Sequence, residues 1–121
     1  MTKTLVVDDE PEMIDIVKLI LENAGHKVSA AQGGAQCLSM VEKEKFDLIL
    51  MDIRMPKMDG WETLKRLKKN KLINGTKVIV LTVEKGPGVE IFGLQDIVSD
   101  YITKPFEREN LLAIINSVLG K

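Results

Sequence analysis

The sequence predicts a doubly wound α/β fold, in which helices cover both faces of a five-stranded parallel sheet. Short apolar runs alternate with longer amphipathic stretches along the 121 residues, as in a series of strand–helix units. The runs over residues 47–51 and 77–81 are apolar after their first residue, which is typical of central parallel strands buried on both faces. Strict alternation of this kind indicates a single domain, assigned here to residues 1–121.

The individual elements follow from this alternation and from local start and stop signals. Pro11 suits the first turn of the first helix, and Gly25 suits its end. Strands are predicted over residues 3–7, 27–31, 47–51, 77–81 and 100–103. Helices are predicted over residues 11–24, 34–45, 59–69, 89–98 and 107–119.

The last three helices differ in the strength of their signals. The helix over residues 59–69 carries Trp61, Leu64 and Leu67 at core positions. The helix over residues 89–98 is the weakest prediction, because the preceding Gly86-Pro87-Gly88 contains residues that disfavour helices. The final helix has a broad apolar stripe that indicates a core-facing side.

Composition excludes several classes of protein. The formal net charge of −1 shows no basic excess, which argues against direct nucleic-acid binding. The basic run over residues 65–71 is interpreted as the solvated face of a helix. No apolar run reaches the roughly 20 residues that span a bilayer, and no signal peptide is recognised. We therefore expect a cytoplasmic protein without membrane contact.

Two single residues could carry chemistry but are given structural interpretations. Cys37 is the only cysteine, so no intramolecular disulfide can form, and its apolar neighbours indicate a half-buried thiol that fills the core. His26 lies between Gly25 and Lys27 and is expected to be exposed in a turn. No second histidine or cysteine accompanies them, so a zinc site is not predicted.

Chemically versatile residues follow the predicted strands. Asp8, Asp9 and Glu10 follow the first strand, and the others are Asp52, Thr82 and Lys104 after the third, fourth and fifth strands. Ligands of open α/β sheets bind beyond the carboxyl ends of the strands, so these side chains should share one crevice. Clustered carboxylates favour a hard cation such as Mg²⁺ or Mn²⁺. A carboxylate beside that cation can attack phosphorus and form an acyl phosphate.

The strand-end motifs resemble those of the receiver domain of bacterial and archaeal response regulators, over essentially the whole chain and in that family's order and spacing. They are Val6-Val7-Asp8-Asp9-Glu10-Pro11, Met51-Asp52-Ile53-Arg54-Met55-Pro56, Asp59-Gly60, Leu81-Thr82 and Tyr101-Ile102-Thr103-Lys104-Pro105-Phe106. The resemblance implies a flavodoxin-like (βα)5 receiver fold with strand order 2-1-3-4-5. It also implies a phosphoacceptor of a two-component phosphorelay, rather than an enzyme with a separate substrate.

The resemblance assigns roles to matching positions. Asp52 corresponds to the phosphorylated aspartate, and Thr82 and Lys104 to the hydroxyl and ammonium that contact the phosphoryl group. The implied metal ligands are Asp8, Asp9, Asp52 and the backbone carbonyl of Arg54. Thr82 and Tyr101 correspond to the switch pair, which acts on the face made by the fourth helix, fifth strand and fifth helix.

The implied partners are a sensor histidine kinase or histidine phosphotransfer protein and a downstream protein target. The chain would be a monomer or a phosphorylation-dependent dimer, and a stand-alone, chemotaxis-type receiver or a fragment of a longer regulator. Met13 and Ile16 on the first helix exceed what one buried stripe needs, so they are candidates for docking the phosphodonor. The fourth-strand motif departs from the family at Val83, where a small residue is usual.

Other interpretations stay open. The acids after the first strand could cap the following helix, and Asp52, Thr82, Lys104 and Tyr101 could each be structural. A receiver-like module could act by contact alone, without phosphorylation. An aspartyl-phosphate phosphatase of the haloacid-dehalogenase kind is less favoured, because the first strand lacks its DxD motif. A flavodoxin is disfavoured because no Ser/Thr-rich phosphate loop follows the first strand.

Overall fold

The computed structural model describes residues 2–83 and 93–121. The strands are β1 (Lys3–Val7), β2 (Lys27–Ala31), β3 (Leu48–Asp52), β4 (Lys77–Thr82) and β5 (Val98–Thr103). The helices in the described ranges are α1 (Pro11–Asn23), α2 (Gly34–Lys43), α3 (Gly60–Lys69) and α4 (Arg108–Leu119).

The five strands form one parallel sheet in the order β2-β1-β3-β4-β5. This confirms the predicted sheet and its strand order. The reversal of strand order beside β1 opens a crevice at the carboxyl ends of β1 and β3. The sheet therefore places the ends of those two strands, Val7 and Asp52, at one edge of the molecule.

Two apolar cores cover the two faces of the sheet. Leu64 and Leu67 of α3 pack with Cys37 and Val41 of α2 on one face, and Ile14 and Val17 of α1 lie with residues of α4 on the other. The buried residues of α1 recur at helical spacing, so the sequence pattern directly sets which side of the helix meets the sheet.

The prediction of a helix over residues 89–98 is wrong for residues 93–98, the part of it that the structure describes. Residues 93–97 form turns and β5 already begins at Val98. The apolar Ile97 and Val98 pack against the α2–α3 core. Their apolar side chains fit the stripe of a helix, but here they are explained by packing at the start of a strand. The rest of that helix and Gly86-Pro87-Gly88 lie outside the described residues.

Two side chains are more buried than the sequence indicated. Cys37 is completely buried rather than half-buried, and burial raises the pKa of its thiol to about 12, which keeps it protonated and unreactive. His26 is only 7% exposed, so the expectation of an exposed histidine is wrong. Its partner is Thr4, a residue distant in sequence, whose hydroxyl lies 3.0 Å from His26 Nδ1.

The α3 lysines and arginine are exposed on the outer side of the helix, as expected of a solvated face. No helix in the ranges 2–83 and 93–121 has the length and apolar character to cross a bilayer.

Candidate functional site

Two buried carboxylates lie at the carboxyl edge of the sheet. Asp8 follows β1 and is completely buried, and Asp52, the last residue of β3, is only 4% exposed. The backbone N–H of Glu10 donates to Asp8 Oδ1 at 3.0 Å. This bond fixes the Asp8 carboxylate at the start of α1 and leaves Oδ2 turned toward another partner.

Lys104 links the two carboxylates. Its Nζ lies 3.0 Å from Asp52 Oδ1 and 3.2 Å from Asp8 Oδ2. The Lys104 backbone N–H donates to the Thr82 carbonyl at 2.7 Å, and the following peptide bond to Pro105 is cis. The sequence predicted that these three side chains share a crevice, and the structure brings them into direct contact.

Burial dominates the electrostatics of this group. It raises the pKa of Asp52 to about 6; the Asp8 charge adds to the rise, while hydrogen bonds from Lys104 and the Arg54 backbone oppose it. Burial alone would lower the pKa of Lys104, but its hydrogen bond to Asp52 and the two carboxylate charges raise it. The site thus holds an ammonium that stays charged beside a carboxylate whose negative charge is poorly stabilised.

The acids after β1 are suited to a hard cation. One carboxylate oxygen from each of Asp8, Asp9 and Glu10 lies within 4.8 Å of the others. Asp8 is buried, Asp9 half-buried and Glu10 exposed, so the cluster opens toward solvent and leaves room for the waters that Mg²⁺ retains. The donor set fits Mg²⁺ or Mn²⁺. The sequence identifies Glu10 only as an acid that follows the first strand, and the turn into α1 brings it into this cluster.

The other predicted residues lie around this group. Thr82 ends β4 one position beyond Leu81, which pairs with Asp52 in the sheet. Tyr101 is half-buried on β5 and packs against the α2–α3 core. Arg54 is exposed two residues after Asp52, and Val83 is 51% exposed at the end of β4. Thr82, Arg54 and Val83 therefore border the crevice, whereas the Tyr101 side chain contacts the core.

Gly60 holds the start of α3 against the end of β3. A Cβ at this position would lie 2.5 Å from the Asp52 carbonyl oxygen and 2.9 Å from Ile53 Cα, which are backbone atoms that cannot rotate away. Asp59 caps the helix by accepting a hydrogen bond from the Glu62 N–H at 2.8 Å. The Asp-Gly pair thus sets the distance between α3 and the strand that carries Asp52.

Replacing Gly60 with Ala is expected to destabilise the protein by about 1–3 kcal/mol, because the backbone must shift to admit the methyl group. Chemical denaturation would measure this loss. Gly33→Ala is the matched control, since a Cβ there meets nothing within 4 Å. Equal stability of the two variants would contradict the close packing described here.

Comparison with known proteins identifies the fold's family. The family model of the response regulator receiver domain matches residues 4–116. The chain belongs to this family. This receiver domain is 34% identical over 120 residues to Protein PilH of Pseudomonas aeruginosa, covering 99% of both chains. It is 37% identical over 121 residues to the transcriptional regulatory protein CpxR of Escherichia coli, covering all of this chain and 50% of CpxR.

A solved structure agrees with these relatives. The CheY-like receiver domain protein of Methanospirillum hungatei superimposes with a TM-score of 0.89 at 38% identity, covering 98% of this chain and 94% of that one. This receiver domain spans about half the length of CpxR. Its place in two-component signalling follows from the family.

The receiver domain also has an exposed apolar strip on α1. Ile16 is 51% exposed, and Met13 is half-buried against the α1–α4 core. Leu19, which the sequence analysis did not single out, is 62% exposed. Its spacing of three residues from Ile16 could have revealed it, because residues three apart share one side of a helix.

Proposed function

We propose that this receiver domain accepts a phosphoryl group onto Asp52 from the phosphohistidine of a sensor kinase or phosphotransfer protein, in the presence of Mg²⁺ or Mn²⁺. The observation that carries the proposal is the contact of one lysine ammonium with both Asp52 and Asp8 at the carboxyl edge of the sheet. Ionisable side chains that are buried together and have perturbed pKa values are typical of functional sites.

Asp52 would act as the nucleophile. One of its carboxylate oxygens forms a bond to phosphorus while the phosphorus–nitrogen bond of the donor breaks, and the imidazole leaves with the bonding pair and takes up a proton. Lys104 would leave its present carboxylate contacts in part and bind a phosphoryl oxygen. Thr82, at the adjacent strand end, would donate a hydrogen bond from its hydroxyl to another phosphoryl oxygen.

The acidic cluster would hold the cation. Asp8, Asp9, Asp52 and the Arg54 carbonyl are the proposed ligands, with Glu10 close by. Bound Mg²⁺ supplies positive charge against the oxygens of the phosphoryl group. Asp8 accepts from the Glu10 N–H through Oδ1 and from Lys104 through Oδ2. Each carboxylate oxygen has a second lone pair, so Asp8 could bind the cation while it keeps these partners.

Signal output would follow from a change at the end of β4. Movement of Thr82 toward the phosphoryl group would free space for Tyr101, which is half-buried on the neighbouring strand. Such a switch alters the surface made by β5, α4 and the segment before β5, where we propose that a downstream protein binds. Phosphorylation could also favour a dimer through the same surface.

The test is the mass of the intact protein after incubation with acetyl phosphate, with and without Mg²⁺. We expect one added phosphoryl group that requires the cation, and a loss of at least tenfold in its rate of formation in Asp9→Asn. Asp15→Asn, on the exposed side of α1, is the control and should react normally. A protein that binds Mg²⁺ but forms no adduct under any condition would favour the contact-only alternative.

The exposed strip on α1 supports a docking role for Met13 and Ile16. Replacing Ile16 with Asp should slow phosphoryl transfer from the histidine donor protein about tenfold, because loss of an apolar contact residue in a protein interface costs on the order of 1–2 kcal/mol. Reaction with acetyl phosphate, which needs no docking, should be unchanged. Equal slowing with both donors would show that the substitution damages the site itself.

A further inference from the structure

A small polar cluster lies at the end of the sheet opposite the proposed phosphorylation site. His26 comes just before β2, and its Nδ1 lies 3.0 Å from the hydroxyl of Thr4, which is completely buried. The Lys27 backbone N–H donates to the Thr2 carbonyl at 2.8 Å. The turn that carries His26 is therefore fastened to the beginning of β1 by two hydrogen bonds.

The residues after α4 are fastened to Thr2, which directly precedes β1. Lys121 Nζ donates to the Thr2 hydroxyl at 2.7 Å, and the Lys121 N–H donates to the Asn116 carbonyl at 2.8 Å. Gly120 makes this return possible, because its φ of 77° is a left-handed conformation that favours glycine. Thr2 thus connects the histidine turn with the end of α4.

The two ionisable side chains of this cluster, His26 and Lys121, are both basic. Burial and the Lys121 ammonium hold the pKa of His26 below its ordinary value. Two neighbouring charged residues, Lys3 and Asp47, have other partners. Lys3, between Thr2 and Thr4, faces the opposite side of the sheet and pairs with Glu44, and Asp47 accepts from the Lys3 N–H. In the described ranges, no carboxylate forms an ion pair with His26.

We propose that protonation of His26 controls whether the C-terminal end of α4 stays attached to Thr2 at the start of β1. This pH-dependent attachment is called the latch. Neutral His26 leaves the Lys121–Thr2 contact undisturbed. Protonation adds a second positive charge to a cluster that already holds the Lys121 ammonium. No side-chain carboxylate of the described residues pairs with His26 to offset that charge, so Lys121 leaves Thr2 and the end of α4 loosens.

The latch makes stability depend on pH in a defined direction. Because the pKa of His26 is lowered in the folded protein, the unfolded chain takes up this proton at a higher pH. Neutral His26 contributes fully to the free energy of unfolding above the ordinary histidine pKa of about 6.5. This contribution is lost as the pH falls below that value. The release itself is independent of phosphorylation; only its effect on target binding, through α4, rests on the function proposed above.

Nuclear magnetic resonance on the full chain would test the latch with three proteins: wild type, His26→Gln and Lys121→Met. One readout is the titration of the His26 ring, and the other is the backbone mobility of residues 119–121. In the wild type, we expect these residues to become mobile over the pH range in which His26 takes up its proton. In His26→Gln their mobility should not change with pH, and in Lys121→Met the pKa of His26 should rise.

Two outcomes would overturn the proposal. One is pH-dependent mobility of residues 119–121 that is the same in wild type and His26→Gln, which would assign the change to another group. The other is an unchanged pKa of His26 in Lys121→Met, which would show that the two charges do not interact. The second measurement remains decisive even if His26→Gln folds poorly, because Lys121 is exposed and its replacement spares the core.

Discussion

Replacing Asp52 with Asn is expected to abolish the phosphoryl adduct completely, with acetyl phosphate and with a histidine donor. Asn has nearly the same shape and can still accept a hydrogen bond from Lys104, but its amide oxygen is a far weaker nucleophile than a carboxylate. Intact mass after incubation with Mg²⁺ and donor would show the loss. Asp47→Asn is the matched control, because Asp47 is exposed at the other end of β3.

The same substitution should stabilise the protein in metal-free buffer at neutral pH. The pKa of Asp52 is raised from 3.8 to about 6 by burial, so the folded state binds a proton more tightly than the unfolded chain. The wild type should therefore lose stability as the pH rises from about 4 through about 6. Asn carries no charge and removes that loss, while Lys104 keeps Asp8 as its ionic partner, so no buried charge is left unpaired. A less stable Asp52→Asn protein at pH 7 would contradict this account of the site.

Replacing Lys104 with Met should have the largest effect on metal-free stability. The Lys104 ammonium is the cation that contacts both Asp8 and Asp52, and the three side chains are at most 11% exposed. Removing one partner of a buried ion pair typically costs about 3 kcal/mol or more, because the remaining charges lose their compensation. Denaturation in a chelator, compared with the exposed-site control Lys69→Met, would measure the loss.

Mg²⁺ should restore part of the stability that Lys104→Met loses. Lysine and the cation are proposed to share the carboxylates of Asp8 and Asp52, so the variant should gain more stability from Mg²⁺ than the wild type does. An equal gain in both proteins would show that Lys104 and the metal do not use the same oxygens. Mg²⁺-independent stability in both would remove the support for a cation at this edge.

The sequence predicts the sheet, and the meeting of Asp8, Asp52 and Lys104 at its edge, for a physical reason. Continuous apolar runs identify buried parallel strands, and the carboxyl ends of parallel strands necessarily meet at one edge. The sequence therefore predicts that these three side chains lie close together, as they do in the structure. The sequence does not show that Lys104 contacts both carboxylates, because that depends on side-chain direction after β5.

The errors arise where distant residues decide the outcome. His26 is buried because Thr4, 22 residues away in sequence, offers it a hydrogen-bond partner. Val98 belongs to β5 because it pairs with Val78, although its apolar neighbours also suit a helix. The close approach of Gly60 to the backbone of β3 is likewise a tertiary contact. The local order of apolar and polar residues does not reveal contacts between residues that are distant in sequence.

The position of the phosphoryl group in the chain is the measurement that decides whether Asp52 is the phosphoacceptor. Borohydride reduces an aspartyl phosphate to homoserine, so treatment of the reacted protein, proteolysis and fragment mass analysis would mark the modified residue. We expect homoserine at position 52, formed only when Mg²⁺ and phosphodonor are both present. Modification at another carboxylate, or a phosphoryl group on His26, would contradict it.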